Sequence, residues 1–307
     1  MGKTAFLFSG QGAQYPGMGK ELYDNFASVR QVYECGSDIL GFDLAKISFE
    51  SDADTLAHTK YSQPAIFGLS MAVHSVVKEL CEASAYAGQS LGEYSALTAA
   101  GAFSLEDGFR VIEARAAAMQ RAADLCPGSM IAIIGGDEAV IKQVCAETEG
   151  YVEPVNFNSP AQIVIAGESG PTQAAADKLA EMGVKTSKLQ VQAAFHSRLM
   201  APAADDLKAR IASVQCNPPH LVYSNLTGAL MASDVNLVEY LAAHMVSPVH
   251  FYDEAVAMIA AGVDTFVELG PNKVLAMLVK RTFKGQPIST YNIEDVKTLE
   301  KFKASLA

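Results

Sequence analysis

The sequence has few basic residues and few charges of any kind. Lysine and arginine number 23 against 34 acidic residues, the formal net charge is −11, and charged residues make up only 19% of the 307. This acidic balance argues against bulk binding to nucleic acid. Half of the residues are hydrophobic, which suits a large core and argues against long disorder. The length suits one large domain or a domain with an inserted lobe.

Paired cysteine motifs and long apolar runs are also lacking. The five cysteines are scattered and form no C-x-x-C pair, so we expect them to be reduced. No apolar run is long enough to span a membrane, and the best candidate, residues 65–77, is interrupted by His74. The chain opens on a strand-like segment without a signal-peptide pattern. We therefore expect a cytoplasmic protein that contacts neither membrane nor nucleic acid.

Strand-like and helix-like runs alternate along the chain, which is typical of an α/β fold with a mainly parallel sheet. Between residues 130 and 192 the predicted order is β-α-β-β-α-β, the ferredoxin-like pattern. The sequence therefore predicts a large α/β domain formed by residues 1–124 and 200–307. A small ferredoxin-like lobe is predicted to be inserted at residues 125–199.

A G-x-S-x-G segment at residues 88–92 is the most informative motif, and its central residue is Ser90. A strand-like run precedes it and a helix-like run follows, which is the context in which this motif presents a nucleophilic serine. Gly88 and Gly92 meet a steric need, because such a strained turn leaves no room for side chains beside the serine. A glycine-flanked helix N-cap is the alternative interpretation of the same five residues.

A serine hydroxyl is a poor nucleophile without a base. Among the six histidines, His196 is the candidate, because it follows a strand-like run and an apolar stretch that ends at Phe195. Loops at the ends of strands often carry functional residues. A histidine packed at a lobe junction, without a catalytic role, is the alternative.

Arg115 lies at the centre of an apolar stripe on the helix predicted from Leu105 to Asp124. A buried guanidinium needs an anionic partner, because its desolvation is otherwise too costly. That partner is either a buried carboxylate of the chain itself or the carboxylate of a substrate. We favour a substrate carboxylate, because Ser90 precedes Arg115 by only 25 residues.

The glycine-rich loop around Gln11 follows the first predicted strand. It matches neither the P-loop pattern nor the G-x-G-x-x-G pattern, so it is a weak candidate for a phosphate site. It fits better as backbone that faces the turn formed by residues 88–92 (the serine turn) at the carboxyl edge of the sheet. There its N–H groups could donate to an oxyanion.

Six segments together resemble the malonyl-CoA:acyl-carrier-protein transacylases of fatty-acid synthesis and the related acyltransferases of polyketide synthases. The resemblance covers nearly the whole chain. The matching segments are GQGAQ at 10–14 (GQGSQ in the family), GQSLGEYSAL at 88–97 (GHSLGEYSAL), R-x-x-x-M at 115–119, N-x-N-S-P at 156–160, F-H-S at 195–197 and E-x-G-P at 268–271.

This resemblance implies a function and a set of roles. A malonyl group would pass from malonyl-CoA to the phosphopantetheine thiol of acyl carrier protein, through a ping-pong mechanism and a serine acyl-enzyme. The implied fold is an α/β-hydrolase-like core with a ferredoxin-like lobe, in a monomer without a metal or a resident cofactor. The implied roles are nucleophile for Ser90, base for His196, oxyanion-hole N–H groups for Gln11 and Leu91, malonyl carboxylate binding for Arg115, further substrate contacts for Met119, Asn156 and Phe195, and a backbone carbonyl of His250 that orients His196.

Two departures from the family pattern stand near the implied site. Gln89 replaces the histidine that usually precedes the nucleophile; since that residue is not the family's base, we expect activity to survive. Relatives often carry glutamine at the position of His250. The role implied there belongs to the main-chain carbonyl, which is present whichever residue occupies the position. The imidazole of His250 is also a rival base, which we rank below His196.

Two other functions compete with acyl transfer. A serine hydrolase or thioesterase acting on acyl-CoA or acyl carrier protein would share the serine turn, but it would have little use for a cation buried beside the nucleophile. A non-catalytic protein that docks an acyl carrier would not need Ser90, His196 and Arg115 together. Transfer of the acyl group to carrier protein rather than to water distinguishes the acyltransferase from the hydrolase. Labelling of Ser90 by malonyl-CoA distinguishes the acyltransferase from the non-catalytic docking protein.

Overall fold

A computed structural model describes residues 2–191 and 193–306. Its elements follow in the order β1 (Lys3–Phe8), α1 (Lys20–Asn25), α2 (Ala27–Leu40), α3 (Leu44–Glu50), α4 (Ala53–Ala57), α5 (Thr59–Val77), β2 (Ala85–Gly88), α6 (Leu91–Ala99), α7 (Leu105–Leu125), β3 (Ser129–Ile134), α8 (Glu138–Glu147), β4 (Val152–Ser159), β5 (Gln162–Gly167), α9 (Ser169–Glu181), β6 (Lys185–Lys188), a 3₁₀ turn (Arg198–Met200), α10 (Ala201–Ile211), α11 (Leu237–Val246), α12 (Phe251–Ala260), β7 (Val263–Leu269), α13 (Val274–Thr282), β8 (Ser289–Ile293) and α14 (Val296–Leu306).

The first sheet is parallel throughout and has the strand order β2-β1-β7-β8. Its central strand β1 is buried on both faces from Ala5 to Phe8. A continuous apolar run of this kind is typical of a parallel strand that helices cover on either side. The predicted parallel sheet of the large domain is confirmed.

The second sheet has the order β4-β5-β3-β6, and every pair in it is antiparallel. With α8 and α9 between its strands, it has the predicted β-α-β-β-α-β order. Apolar residues of the two helices and of the strands share one buried cluster. The fold class is therefore confirmed. The exact boundaries at residues 125 and 199 stay a prediction, although all four strands lie between them.

Helix α7 crosses the large domain and brings Arg115 to the serine turn. The Ser104 hydroxyl caps its first turn by accepting the Asp107 N–H at 3.0 Å, as the sequence S-x-x-D favours. A stripe of buried residues runs along the helix, and Arg115 lies within it. The buried position predicted for Arg115 is thus confirmed.

Strand β4 of the small lobe pairs with a segment of the large domain. The Phe157 N–H donates to the Val249 carbonyl, and the Val249 N–H donates to the Val155 carbonyl, each at 2.8 Å. The edge strand of the small lobe therefore pairs with the segment between α11 and α12. Asn156, at the centre of this pairing, also lines the cleft that contains Ser90.

Membrane insertion through a helix finds no support in the fold. Among residues 2–191 and 193–306, none of the helices has both the length and the apolar character that a membrane crossing requires.

Candidate active site

Ser90 occupies a strained turn between β2 and α6. Its backbone has φ 55° and ψ −105°, a conformation that a non-glycine residue adopts only under strain. A Cβ at Gly92 would overlap the Phe8 carbonyl oxygen, and a Cβ at Gly88 would overlap the backbone of Gly92. The Ser90 side chain does not cap α6. The hydroxyl is therefore free for other contacts, and the glycine positions meet the steric need that the motif predicts.

His196 lies against this hydroxyl, with its Nε2 2.6 Å from Ser90 Oγ. The histidine is itself at positive φ, 63°, and is 3% exposed. Burial, and after it the nearby charge of Arg115, lower the pKa of His196 to about 4. The ring is therefore neutral near pH 7 and can accept the serine proton. The structure brings together the predicted nucleophile and base.

The backbone group that orients His196 belongs to His244, not to His250. His196 Nδ1 lies 3.1 Å from the His244 carbonyl oxygen. That carbonyl is in the last turn of α11, and the residue four positions on is Pro248, which has no N–H to close a helical bond. The free carbonyl therefore accepts from the imidazole. This corrects the prediction that gave the role to His250.

His250 is occupied elsewhere. Its N–H donates to the Asn225 carbonyl at 2.8 Å. Its ring stacks on Phe157, with centroids 5.0 Å apart and planes 8° apart, and its Nδ1 lies 3.2 Å from the Asp253 carboxylate. These contacts give no support to His250 as a rival base, because the described contacts of Ser90 Oγ are with His196 and Arg115.

Arg115 is 1% exposed, and its Nη2 donates to Ser90 Oγ at 3.0 Å. Its guanidinium carbon lies 4.9 Å from the centroid of the Tyr94 ring. Within residues 2–191 and 193–306, Nε and Nη1 have no hydrogen-bond partner, and no carboxylate oxygen lies within 4.0 Å. Burial lowers the pKa of Arg115. The internal salt bridge that the sequence left open is thus not formed within the described residues. The buried Glu93 acts on the cation only from beyond contact distance, and burial raises the pKa of its carboxyl to about 8.

A cleft of about 650 Å³ between the two lobes contains Ser90 and His196. It is also lined by three of the predicted substrate contacts, Met119, Asn156 and Phe195, and by Gln11 of the predicted oxyanion hole. Arg115 and Leu91 are not among the lining residues. The Gln63 amide nitrogen lies 3.1 Å from Gln11 Oε1 and 3.2 Å from Met119 Sδ, so it joins the glycine-rich loop to α7. Met119, Asn156 and Phe195 therefore face the same cleft as Ser90, and Arg115 lies behind Ser90 Oγ, in contact with it.

The oxyanion hole stays a prediction, but the backbone is suitably placed for it. Leu91 is the first residue of α6, so its N–H has no carbonyl partner within the helix. The loop before Gln11 packs tightly on the serine turn, since a Cβ at Gly10 would lie 2.8 Å from the Gln89 carbonyl oxygen. Both candidate donors thus stand beside Ser90, at the carboxyl ends of β1 and β2.

The side chain of Gln89 connects the serine turn to the small lobe. Its amide nitrogen donates to Asn158 Oδ1 on β4, and both side chains line the cleft. The residue that departs from the family pattern therefore has a polar partner across the lobe junction. That activity survives with glutamine here stays a prediction.

Sequence reasoning missed Asn225, a buried residue behind the serine turn. Its Oδ1 accepts the Ser90 N–H at 2.8 Å. One signal was available: Asn225 directly follows the strand-like run 221–224, as His196 follows a strand. The Tyr86–Val222 bridge sets this run parallel to β2, which places Asn225 at the same sheet edge as Ser90. The role of the His244 carbonyl was missed too, although Pro248 signalled it.

No metal centre emerges from the described chain. Residues 2–191 and 193–306 contain no cluster of three or more histidine, cysteine, aspartate or glutamate side chains that could hold a metal ion.

A strained serine on a strand-to-helix turn of an α/β fold, with a histidine on its hydroxyl, is the arrangement of enzymes that transfer acyl groups through serine. The comparisons with known proteins agree. The chain belongs to the acyl transferase domain family, whose model matches residues 5–301.

The relatives share both sequence and fold with this chain. Malonyl CoA-acyl carrier protein transacylase of Bacillus subtilis (strain 168) is 38% identical over 306 residues, which cover 98% of this chain and 96% of the relative. The structure of malonyl CoA-acyl carrier protein transacylase from Clostridium perfringens matches with a TM-score of 0.94 at 37% identity, over 99% of this chain and 97% of that one. A structure described as a type II PKS acyl-carrier protein in complex with its malonyl-transacylase contains a chain that matches with a TM-score of 0.93 at 33% identity, over 99% of both chains. The predicted family resemblance is confirmed.

Proposed function

We propose that this chain transfers a malonyl group from malonyl-CoA to the phosphopantetheine thiol of an acyl carrier protein, through an ester on Ser90. The relatives named above support this, since they are malonyl CoA-acyl carrier protein transacylases, one of them in complex with its acyl-carrier protein. The observation that carries the proposal is the position of Arg115.

Arg115 presents a buried positive charge beside the nucleophile, and no carboxylate oxygen of the described residues lies within 4.0 Å of it. The buried Glu93 acts on it from farther away, but burial raises the pKa of that carboxyl to about 8, so the neutral acid predominates near pH 7. An uncompensated buried cation is unfavourable, so the site is built for an anion that arrives from outside. Nη2 is 3.0 Å from Ser90 Oγ, which puts that anion a short distance from the reacting centre. Malonyl thioesters have this form, because a carboxylate is separated from the thioester carbonyl by one methylene.

In the first half-reaction, Ser90 Oγ attacks the thioester carbonyl and His196 Nε2 takes the serine proton. The His244 carbonyl accepts a hydrogen bond from the Nδ1–H of His196. This bond holds the ring in the tautomer whose Nε2 carries no proton. The N–H groups of Gln11 and Leu91 donate to the oxyanion of the tetrahedral intermediate. The carbon–sulfur bond breaks, the leaving thiolate of CoA takes the proton from His196, and malonyl-Ser90 remains.

The second half-reaction is the reverse with a different thiol. His196 takes the proton of the phosphopantetheine thiol, whose sulfur attacks the ester carbonyl. The carbon–oxygen bond to Ser90 breaks, and Ser90 Oγ recovers its proton from His196. Met119, Asn156 and Phe195 line the cleft in which the acyl group and its carrier arm are bound.

Hydrolysis is the competing outcome, because water could replace the thiol in the second step. A thioesterase does not need a buried cation that holds the distal carboxylate. The proposal therefore requires that malonyl-Ser90 be long-lived in water and be discharged rapidly by a carrier thiol.

Intact-mass measurement tests the proposal directly. The wild-type chain should gain one malonyl group on incubation with malonyl-CoA and lose it on addition of holo acyl carrier protein, which should gain the same mass. Ser90→Ala should gain nothing. Ser95→Ala is the matched control, because Ser95 is a buried serine on α6 whose hydroxyl has no hydrogen-bond partner in the described structure. It should load like the wild type.

Two outcomes would contradict the proposal. Malonyl attachment to the Ser90→Ala chain would move the nucleophile elsewhere. Discharge of malonyl-Ser90 to water at the rate seen with carrier protein would identify a hydrolase.

We also propose a cytoplasmic location and a monomeric state. The five cysteines support the location, because all are free in the structure and none forms a disulfide. The monomer rests on the family resemblance alone, and sedimentation of the purified chain tests it.

A further inference from the structure

The Ser90 N–H depends on a residue far away in the sequence. In its strained conformation Ser90 stands before the first turn of α6, so its N–H has no helical partner. The amide oxygen of Asn225 accepts this N–H at 2.8 Å. Asn225 is 0% exposed. A side chain from another segment therefore holds the backbone of the nucleophile.

The carboxamide of Asn225 is fully satisfied, which fixes its orientation. Oδ1 also lies 3.1 Å from His244 Nε2, and Nδ2 donates to the Gly88 carbonyl at 2.7 Å and to Glu254 Oε1 at 2.6 Å. A backbone N–H can only donate and a backbone carbonyl can only accept, so the amide cannot be reversed between Ser90 and Gly88. All four hydrogen-bonding positions of the carboxamide are in use.

Through its contact with His244, Asn225 is also connected to His196, the base. His244 Nε2 must carry the proton that it gives to Asn225 Oδ1, and His244 Nδ1 has no partner within the described residues. The backbone carbonyl of His244 is the group that meets His196 Nδ1 at 3.1 Å. One amide oxygen thus lies between the backbone of Ser90 and the residue that orients His196.

Asn225 is in turn held from three sides. Its backbone N–H donates to Glu93 Oε2 at 2.7 Å, and its carbonyl accepts the His250 N–H at 2.8 Å. Glu254 holds the amide nitrogen. Glu93 and Glu254 are both fully buried. Asn225 is therefore held through its backbone and its side chain at once, independently of its bond to the Ser90 N–H.

We propose that Asn225 is a positioning residue that keeps Ser90 and His196 in register for proton transfer. It acts through the Ser90 N–H on one side and through His244 on the other. Its carboxamide is fully taken up by hydrogen bonds within the chain, so it has no free group with which to bind the acyl group. The inference rests on the proposed function only in taking Ser90 as the nucleophile, and it does not depend on which acyl group is transferred.

The test compares Asn225→Ala and Asn225→Asp with the wild type and with Met258→Ala. Met258 is a fully buried core residue on α12, the helix that also carries Glu254. It packs in an apolar cluster that does not include Asn225 or its hydrogen-bond partners. Met258→Ala therefore controls for a general loss of stability. Two rates are measured: labelling of Ser90 by a fluorophosphonate, which needs no acyl recognition, and loading by malonyl-CoA as separate kcat and KM. Melting temperatures are recorded for every variant.

Asn225→Ala should slow both reactions by about 10- to 100-fold, because small displacements of reacting groups have effects of this size. Its KM for malonyl-CoA should stay within about two-fold of the wild-type value, since Arg115 and the residues that line the cleft are unchanged. Asn225→Asp keeps the acceptor for the Ser90 N–H, and burial favours the neutral acid, which restores one donor. Its rates should therefore lie between those of the wild type and Asn225→Ala.

Met258→Ala should melt earlier yet label within about two-fold of the wild type, because its loss is confined to packing. Labelling of Asn225→Ala at the wild-type rate, or a loss no larger than in Met258→Ala at an equal fall in melting temperature, would overturn the proposal. If Asn225→Ala does not fold, the labelling rate of Asn225→Asp decides by the same criterion. Failure of the wild type to load malonyl while it reacts with the fluorophosphonate would refute the proposed function and leave the positioning role to be decided by the labelling rates.

Discussion

Replacing Arg115 should change which acyl group the chain accepts rather than whether it reacts. In the structure Arg115 is 1% exposed, and its guanidinium contacts Ser90 Oγ at 3.0 Å. No carboxylate oxygen of residues 2–191 and 193–306 lies within 4.0 Å of it. Arg115→Ala removes the cation that would bind the malonyl carboxylate. An acetyl group has no carboxylate to lose. The informative quantity is therefore the ratio of malonyl loading to acetyl loading.

The expected size of this effect follows from the burial of the site. Loss of one partner of a buried, hydrogen-bonded charge pair costs roughly 2–5 kcal/mol. One factor of ten in rate corresponds to about 1.36 kcal/mol, so kcat/KM for malonyl-CoA should fall by about 30- to 5000-fold. Acetyl loading should change by less than about ten-fold, through the contact of Arg115 with Ser90 Oγ alone.

The assay is loading of Ser90 by malonyl-CoA and by acetyl-CoA, followed by intact mass at short times. Arg115→Lys is the informative companion, because it keeps the charge but loses the planar fork and should recover only part of the malonyl rate. Arg115→Met should not lower the melting temperature, since it replaces an unpaired buried charge with an apolar side chain of similar length. Equal losses for both acyl groups, together with a large fall in melting temperature, would show that Arg115 has a structural role.

Three further outcomes follow from the geometry. His196→Ala should slow loading by about 10²- to 10⁴-fold, and His250→Ala by a few-fold at most; the opposite order in single-turnover assays would move the base to His250. Because the base must be neutral and burial lowers the pKa of His196 to about 4, fluorophosphonate labelling should be constant near neutral pH and be lost as pH falls through about 4. Removing the Arg115 charge raises that pKa, so Arg115→Met should move the loss to higher pH, and an unshifted profile would contradict this coupling. Gly92→Ala forces a Cβ into the end of β1 and should lower the free energy of unfolding by about 1–3 kcal/mol or more, whereas Gly170→Ala, at an open position, should change it little in denaturant titrations.

The main features of the fold could be predicted because they depend on local patterns. The apolar run in β1 and the capped, striped helix α7 are both visible in the sequence and present in the structure. The β-α-β-β-α-β order of the small lobe was likewise predictable, since each of its elements has its own periodicity. How the two lobes join was not, because the Val249–β4 pairing connects segments about a hundred residues apart through backbone groups that every residue carries.

The candidate site likewise contains residues that the local sequence predicts and residues whose roles depend on the tertiary structure. Ser90 and Arg115 could be selected from the sequence because each breaks a local rule: a serine between two glycines at a turn, and a cation in an apolar stripe. His250 was assigned wrongly, because a backbone carbonyl has no side-chain signature and its direction depends on where a helix ends. The Ser247-Pro248 step that frees the His244 carbonyl was visible, but its consequence depends on α11 pointing at His196.

The sequence by itself therefore determined the reactive groups, the helices and strands that carry them, and the steric need for Gly88 and Gly92. Only the tertiary structure decided which buried groups satisfy one another. Asn225 illustrates the reason: its side chain makes four hydrogen bonds to partners from three other parts of the chain, namely the turn at Ser90, α11 and α12. These partners come within reach only after the sheet has formed. Hydrogen bonding is short-ranged and directional, so residues distant in sequence acquire such roles only through the packing that brings them together.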